Sequence, residues 1–357
     1  MNFLVRRILI LTCLLNFSVG IVFAQQDGEA VDTFIITLNG KKGFIDRSGK
    51  IVIEPRFDQV QDFSGGIARV WMHCRPCTRR FIDKSGVFVR SSILDEGPQI
   101  NFSEGLAAVS VGVGPASREG FIDNTGELVI EPQFLSATEF SEGLAAVRAE
   151  NRKRGYIDHS GKFVIAPTFE NAWEFHEGLA RIGVSDKWGF IDKAGKIVIA
   201  PQYDEVSDFY EGLAMIRVGR LRGYIDRTGK VVIKPQFEDC YEFSEGMAYV
   251  KIGEKYGFID KAGSLKIEAK YDRVLSFSDG LAVVKIDGKF EFIDKEGRIA
   301  IPIKFDSAKS FRGGLAEVSL GKSTFSGILT AENIRKIKTN VKSGYIDKTG
   351  KFIWVNK

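Results

Sequence analysis

The sequence predicts an all-β protein of nine tandem units of ~34 residues, each a three-stranded antiparallel β-meander. Three observations predict it. First, a Gly-Phe/Tyr-Ile-Asp tetrapeptide recurs with its aromatic at Phe44, Phe81, Phe121, Tyr156, Phe190, Tyr224, Phe258, Phe292 and Tyr345; Arg80 and Glu291 replace the Gly in two copies. Second, successive aromatics are 37, 40, 35, 34, 34, 34, 34 and 53 residues apart, and a fixed period through the middle marks a repeat architecture. Third, Phe (28) and Gly (38) are prominent among 357 residues, which suits many short strands joined by tight turns.

One middle unit justifies each element. Leu213–Val218 alternates as a strand, residues 219–222 turn the chain, and 223–226 return it. Asp226 starts a second turn that Gly229 closes: the carboxylate can bond the backbone two residues on, and Gly takes positive φ without strain. Residues 230–233 form the third strand. Pro235 is expected to stop the pairing, having no N–H to give. The connector 237–243 has apolar residues at i, i+3 and i+6, which predicts a short helical turn or an irregular loop packed on the core.

Two aromatic columns run through the units, one containing Tyr203 and Phe237, the other Phe63, Phe102, Phe140, Phe175, Phe209, Phe243, Phe277 and Phe311. Regular spacing predicts buried ladders, with sugar stacking as the functional alternative. The repeat domain covers residues 34–357. It begins on a first strand, Phe34–Leu38, and ends on a third, Phe352–Val355, so no unit needs both termini. The expected assembly is an open superhelical solenoid, with a closed propeller-like ring as the alternative.

Residues 1–24 read as a signal peptide. Arg6 and Arg7 precede an apolar run, and Val22-Phe23-Ala24 places small residues at a cleavage site before Gln25. Residues 25–33 are a linker. No later run is long enough to span a membrane as a helix, so the expected location is exported: periplasm, cell envelope or exterior. The formal net charge of +4 includes Arg6 and Arg7, leaving a mature balance too near neutral to predict nucleic-acid binding.

Candidate chemistry is sparse. The nine tetrapeptide Asp residues sit in equivalent turns and read as turn caps, since acid–base work needs carboxylates in unlike environments. Residues 189–196 resemble a phosphate loop, but the glycine spacing is five residues and Ile197 stands where Ser or Thr is needed. Cys240 lies in a column of small apolar residues. Cys74 and Cys77 are a candidate disulfide; free thiols, a metal site with His73 and redox work are the alternatives. No cofactor or metal is expected. A basic edge gathers on the first turn of several units: Arg79, Arg80, Arg118, Arg152, Lys153, Arg154, Arg220 and Arg222. It reads as a solvated loop face or as a binding rim for an anionic envelope polymer, lipid headgroup or acidic protein. The last unit carries an insert at about 319–343.

Residues 187–196, Lys-Trp-Gly-Phe-Ile-Asp-Lys-Ala-Gly-Lys, resemble the WG (tryptophan-glycine, KWG-type) repeat of bacterial proteins. The Pro201-Gln202-Tyr203-Asp204 and Glu211-Gly212-Leu213-Ala214 segments extend the resemblance, although one unit alone keeps the Trp. The resemblance implies an envelope or secreted protein without a shared catalytic site. The expected function is therefore non-catalytic binding or scaffolding, not an enzyme. The alternative is an envelope enzyme or thiol-redox factor using the irregular loops.

Overall fold

The computed structural model describes residues 33–72, 78–89, 101–112, 114–321 and 342–356. The predicted signal peptide, nearly all of the linker, the Cys74–Cys77 pair and most of the insert lie outside them.

The described residues form nine sheets, or blades, each antiparallel throughout. Blade 6 is the regular case. A two-residue leading strand, Glu205–Val206, pairs with Leu213–Val218, which pairs with Leu221–Asp226, which pairs with the trailing strand Val231–Phe237. The hairpin and the Asp226–Gly229 turn are as the sequence predicts, but the first turn is shorter than 219–222, since Leu221 and Arg222 already pair in the strand. Asp226 Oδ1 accepts the backbone N–H of Thr228 (2.9 Å) and of Lys230 (3.1 Å), the capping role expected of the tetrapeptide Asp.

Three expectations are corrected. The unit has four strands in seven blades, because the connector read as a helical turn or loop supplies the leading strand of the next blade: Asp239–Cys240 follows Phe237 directly. Pro235 does not stop the trailing strand, which runs through it with a register shift. That bulge explains the tetrapeptide Gly: a Cβ on Gly223 would lie 2.4 Å from the Ile233 carbonyl oxygen and 2.6 Å from the Pro235 nitrogen.

The third correction concerns closure: the blades form a ring, a nine-bladed β-propeller, and not an open solenoid. Neighbouring blades share a regular contact, in which a Cβ on the turn glycine would touch an isoleucine of the blade before it: Gly229 on Ile199, Gly263 on Ile233, Gly297 on Ile267. A Cβ on Gly49 of blade 1 would likewise meet the trailing strand of blade 9, there the backbone carbonyl of Ile353, one position before the equivalent residue. Blade 1 consists of β1 (Phe34–Leu38), β2 (Lys41–Ile45) and β3 (Ile51–Phe57). Phe34, Ile36 and Ile45 share a buried cluster with Leu315 and Tyr345 of blade 9. A small rotation per unit, summed over nine units, brings the last blade against the first.

The core lies between blades. In seven junctions the Phe of a leading segment packs against the third-strand aromatic of the preceding blade, at ring-centroid distances of 4.8–5.0 Å, as in Phe190–Phe209 and Tyr224–Phe243. Phe209 is 1% exposed, so this ladder is core rather than a sugar platform.

Candidate functional site

The regular junction is stitched by a Ser-Glu-Gly run just before the second strand. The Ser hydroxyl donates to the main-chain carbonyl of the next blade's ladder Phe: Ser64 to Phe102, Ser103 to Phe140, Ser141 to Phe175, Ser244 to Phe277 and Ser278 to Phe311, at 2.6–2.7 Å. The acid, held at positive φ, accepts the N–H of the next blade's Gly: Glu177 from Gly212 at 2.8 Å, Glu211 from Gly246 at 2.9 Å, Asp279 from Gly314 at 2.7 Å. Sequence reading treats this run as a plain connector. Its recurrence at one offset is the signal that could have marked it as a clamp.

The Ser position changes in blades 5, 6 and 9, to His176, Tyr210 and Arg312. His176 and Tyr210 face each other with ring centroids 5.8 Å apart, and Asp208 lies between His176 (3.8 Å) and Arg181 (2.6 Å). Arg312 pairs with Asp62 of blade 2 at 3.3 Å, reaching past blade 1.

That reach marks the seam. Blade 1 shows three strands among the described residues: no leading strand lies beside β1. Blade 3 also shows three, but there the ladder Phe102 is in place and receives the Ser64 hydroxyl. At the seam, side chains occupy the edge of β1 instead. The Thr37 N–H donates to Asn356 Oδ1 (3.1 Å), and the Tyr345 hydroxyl donates to the Ile35 carbonyl (2.9 Å). Burial pushes the Tyr345 hydroxyl above its ordinary pKa, so it remains a donor at neutral pH. Tyr345 packs edge-on to Phe34 at 5.3 Å.

Beside them opens a cavity of about 590 Å³, walled by Phe34, Ile35, Phe311, Leu315 and Tyr345 and rimmed by Lys42, Asp62, Lys309, Arg312 and Glu317. A second cavity of about 410 Å³, bounded by Arg69, Phe81 and Phe102, shares Ile35 and Asp62 with it. Lys309 pairs with Glu317 at 2.7 Å. The arrangement offers an apolar floor and both signs of charge at the mouth, which suits binding.

The basic edge predicted from sequence falls on the second-to-third-strand turns of blades 2, 3, 4 and 6. Much of it is paired. Arg118 meets Glu150 (2.7 Å), Lys153 meets Glu170 (3.4 Å), and Arg222 bonds Asp239 and meets Glu205 (3.5 Å). Lys41, Lys187, Lys255 and Lys289 each hold the Asp that follows the trailing strand of their own blade. Arg154 is half-buried, and burial with Arg148 nearby lowers its pKa. The Arg80 guanidinium lies 5.2 Å from the Phe88 ring centre. Arg152 has positive φ, and Arg220 lies exposed in its turn. Arg79 enters the strand Thr78–Asp83 opposite Trp71. The rim thus alternates in sign. Cys240 is 2% exposed, as its column predicts. Among the described residues, no group of three or more His, Cys, Asp or Glu is placed to hold a metal ion.

A family model described as WG containing repeat matches residues 43–70, 120–152, 155–188, 188–221, 223–256, 256–290 and 292–322, more than half of the chain. The Trp188 of the one Trp-Gly pair is partly buried against the Phe190–Phe209 cluster. No curated protein matches the chain. Among solved structures, it is similar to a eukaryotic initiation factor, with TM-score 0.60 and 10% identity over 91% of this chain and 96% of that one. At that identity the likeness concerns the fold alone. Lower likenesses, each with TM-score 0.40, are to BamB from Moraxella catarrhalis (10% identity, 75% of this chain and 92% of that one) and apo AztD from Citrobacter koseri (12%, 78% and 91%).

Proposed function

The chain belongs to the WG-containing repeat family, and from that premise we propose that it is an exported, non-catalytic binding or scaffolding protein that takes its partner at the seam between blades 9 and 1. The seam's departure from the repeat carries the reading. Among the described residues, a leading segment fills the other junctions, whereas here a cavity of about 590 Å³ adjoins charged groups of both signs. The repeated polar groups support a structural use of the other blades: tetrapeptide Asp residues cap turns, and Ser-Glu-Gly runs clamp neighbours. Export rests on the Arg6-Arg7 start, the apolar run and the Val22-Phe23-Ala24 site.

Photo-crosslinking residues placed at Lys42 and Glu317 of the seam, and at Arg152 on the rim, test the site in the native host. Protein adducts confined to the seam positions are expected. Adducts at Arg152 alone would move the site to the rim, and adducts at none of the three would refute a protein-binding seam. Intact mass of the isolated protein tests export: a chain starting at Gln25 is expected, and one retaining residues 1–24 would refute cleavage.

A further inference from the structure

We propose that the protein docks on an anionic lipid surface through the Asp-to-Gly turns of blades 4, 5 and 6, where exposed lysines alternate with exposed apolar pairs. This surface is separate from the seam: in a ring of nine, blade 5 stands opposite the junction of blades 9 and 1.

The surface is built where each of these turns enters its trailing strand. The three runs are Lys162-Phe163-Val164, Lys196-Ile197-Val198 and Lys230-Val231-Val232, and every residue in them is exposed. The six apolar side chains are 38–51% exposed. Most of the exposed large apolar side chains among the described residues lie at this same place in their blades. Single apolar residues scattered on a surface need no partner, but these adjoin one another. A Cβ on Gly195 would lie 3.0 Å from Ile165, and one on Gly229 3.2 Å from Ile199. The Lys196 turn therefore borders Phe163-Val164, and the Lys230 turn borders Ile197-Val198.

Three features select a membrane surface as the occupant. The first is charge. Among the described residues, Lys162, Lys196 and Lys230 form no salt bridge. The acids near them are engaged: Glu142 and Glu177 accept the N–H groups of Gly178 and Gly212, and Asp158, Asp192 and Asp226 cap their own turns. The second is flatness. In a closed ring, equal positions in successive blades lie on one circle, so a planar partner meets all three runs at once. The third is the strand itself. The trailing strand is the last in its sheet, but Val231 pairs with Ile225 and Ile233 with Tyr224, which leaves Val232 in a bulge. A bulged edge resists the addition of another strand. On a bilayer, each ammonium stays with the headgroup phosphates while the apolar pair beside it enters the interface.

Co-sedimentation of the mature protein with lipid vesicles tests the proposal. Vesicles of phosphatidylcholine and phosphatidylglycerol in equal parts should carry the protein down, and those of phosphatidylcholine alone should not. Added salt should release it. Changing Lys162, Lys196 and Lys230 together to Gln should weaken binding to the anionic vesicles at least about tenfold. Changing Val164, Val198 and Val232 together to Ser should also weaken it. Both sets replace exposed side chains, so denaturant melts should stay as they are. A protein with Arg152→Gln and Arg220→Gln, on the second-to-third-strand turns, should bind as the unaltered one does. No sedimentation with anionic vesicles, equal sedimentation with neutral ones, or unchanged binding by either triple variant would each overturn the proposal. A loss caused by the Arg152 and Arg220 changes alone would move lipid binding to the other turns. Self-association without lipid that the Ser changes abolish would assign the face to a second copy. Either of these results also overturns it.

Discussion

Blade 7 meets blade 6, and blade 1 meets blade 9, through the same faces but by different means. At the regular junction Phe243 packs on Tyr224 at 4.9 Å, and Glu211 accepts the Gly246 N–H. At the seam, Phe34 of the second strand takes the place beside Tyr345, Asn356 bonds the strand edge, and Arg312 reaches past blade 1 to Asp62. The regular junction is held largely by backbone groups and a buried ring. The seam is held by side chains around a cavity. Similar units pack alike where a described leading segment fills the junction, and among the described residues the seam is held differently.

The largest expected effect breaks the regular junction. Phe209→Ala should cost about 3–5 kcal/mol in denaturant melts, because its ring is buried between two blades. Phe34→Ala should cost less, since the cavity beside it lets neighbours relax. Equal losses would mean that the seam is packed as firmly as the rest. Next, Gly223→Ala should cost about 1–3 kcal/mol, as overpacking against the trailing-strand bulge. Replacing a turn glycine that meets nothing, such as Gly253, separates that clash from strain due to positive φ alone.

Acid should act on every blade where the turn Asp is bonded to a hydroxyl. For Asp46, Asp83, Asp123, Asp158, Asp226 and Asp347, the Ser or Thr hydroxyl two residues on is the largest influence and holds the carboxyl below its ordinary pKa. A depressed folded value stabilises the fold above the unfolded-state pKa, and this contribution is lost as pH falls through the folded value. Thermal melts across the acid range should show stability falling below the ordinary carboxylate range. Thr228→Val should flatten that dependence slightly; an unchanged profile would remove the turns as its cause. Smaller still, Ser244→Ala should cost about 0.5–1.5 kcal/mol by removing one junction bond. Arg312→Ala should cost at most about 1 kcal/mol, since both partners of that pair are about half exposed. A larger loss would show that the Arg312–Asp62 pair holds the ring shut.

Local chemistry was legible in the sequence. Asp226 and Gly229 declare a turn because their neighbours in sequence are also their neighbours in space, and the aromatic columns declare a core because they recur at one spacing. The leading strand was not legible: Asp239–Cys240 is two residues long, too short to show alternation. Nor was closure, which depends on a small rotation repeated nine times and on no residue in particular. The basic edge was visible as cations, but the carboxylates that answer it lie a full strand away, as Glu170 does from Lys153. The seam could not be seen at all, because its distinguishing feature is what blade 9 meets and not any motif of its own.

The clamps have one more consequence. The clamp bonds are received by backbone: the ladder Phe offers its carbonyl and the following Gly its amide. These bonds ask of the arriving blade only its backbone and the ladder ring that packs beside them. Units could be duplicated, lost or exchanged within such a gene and still be gripped on both sides, while exposed turns drift in sequence without loosening the grip.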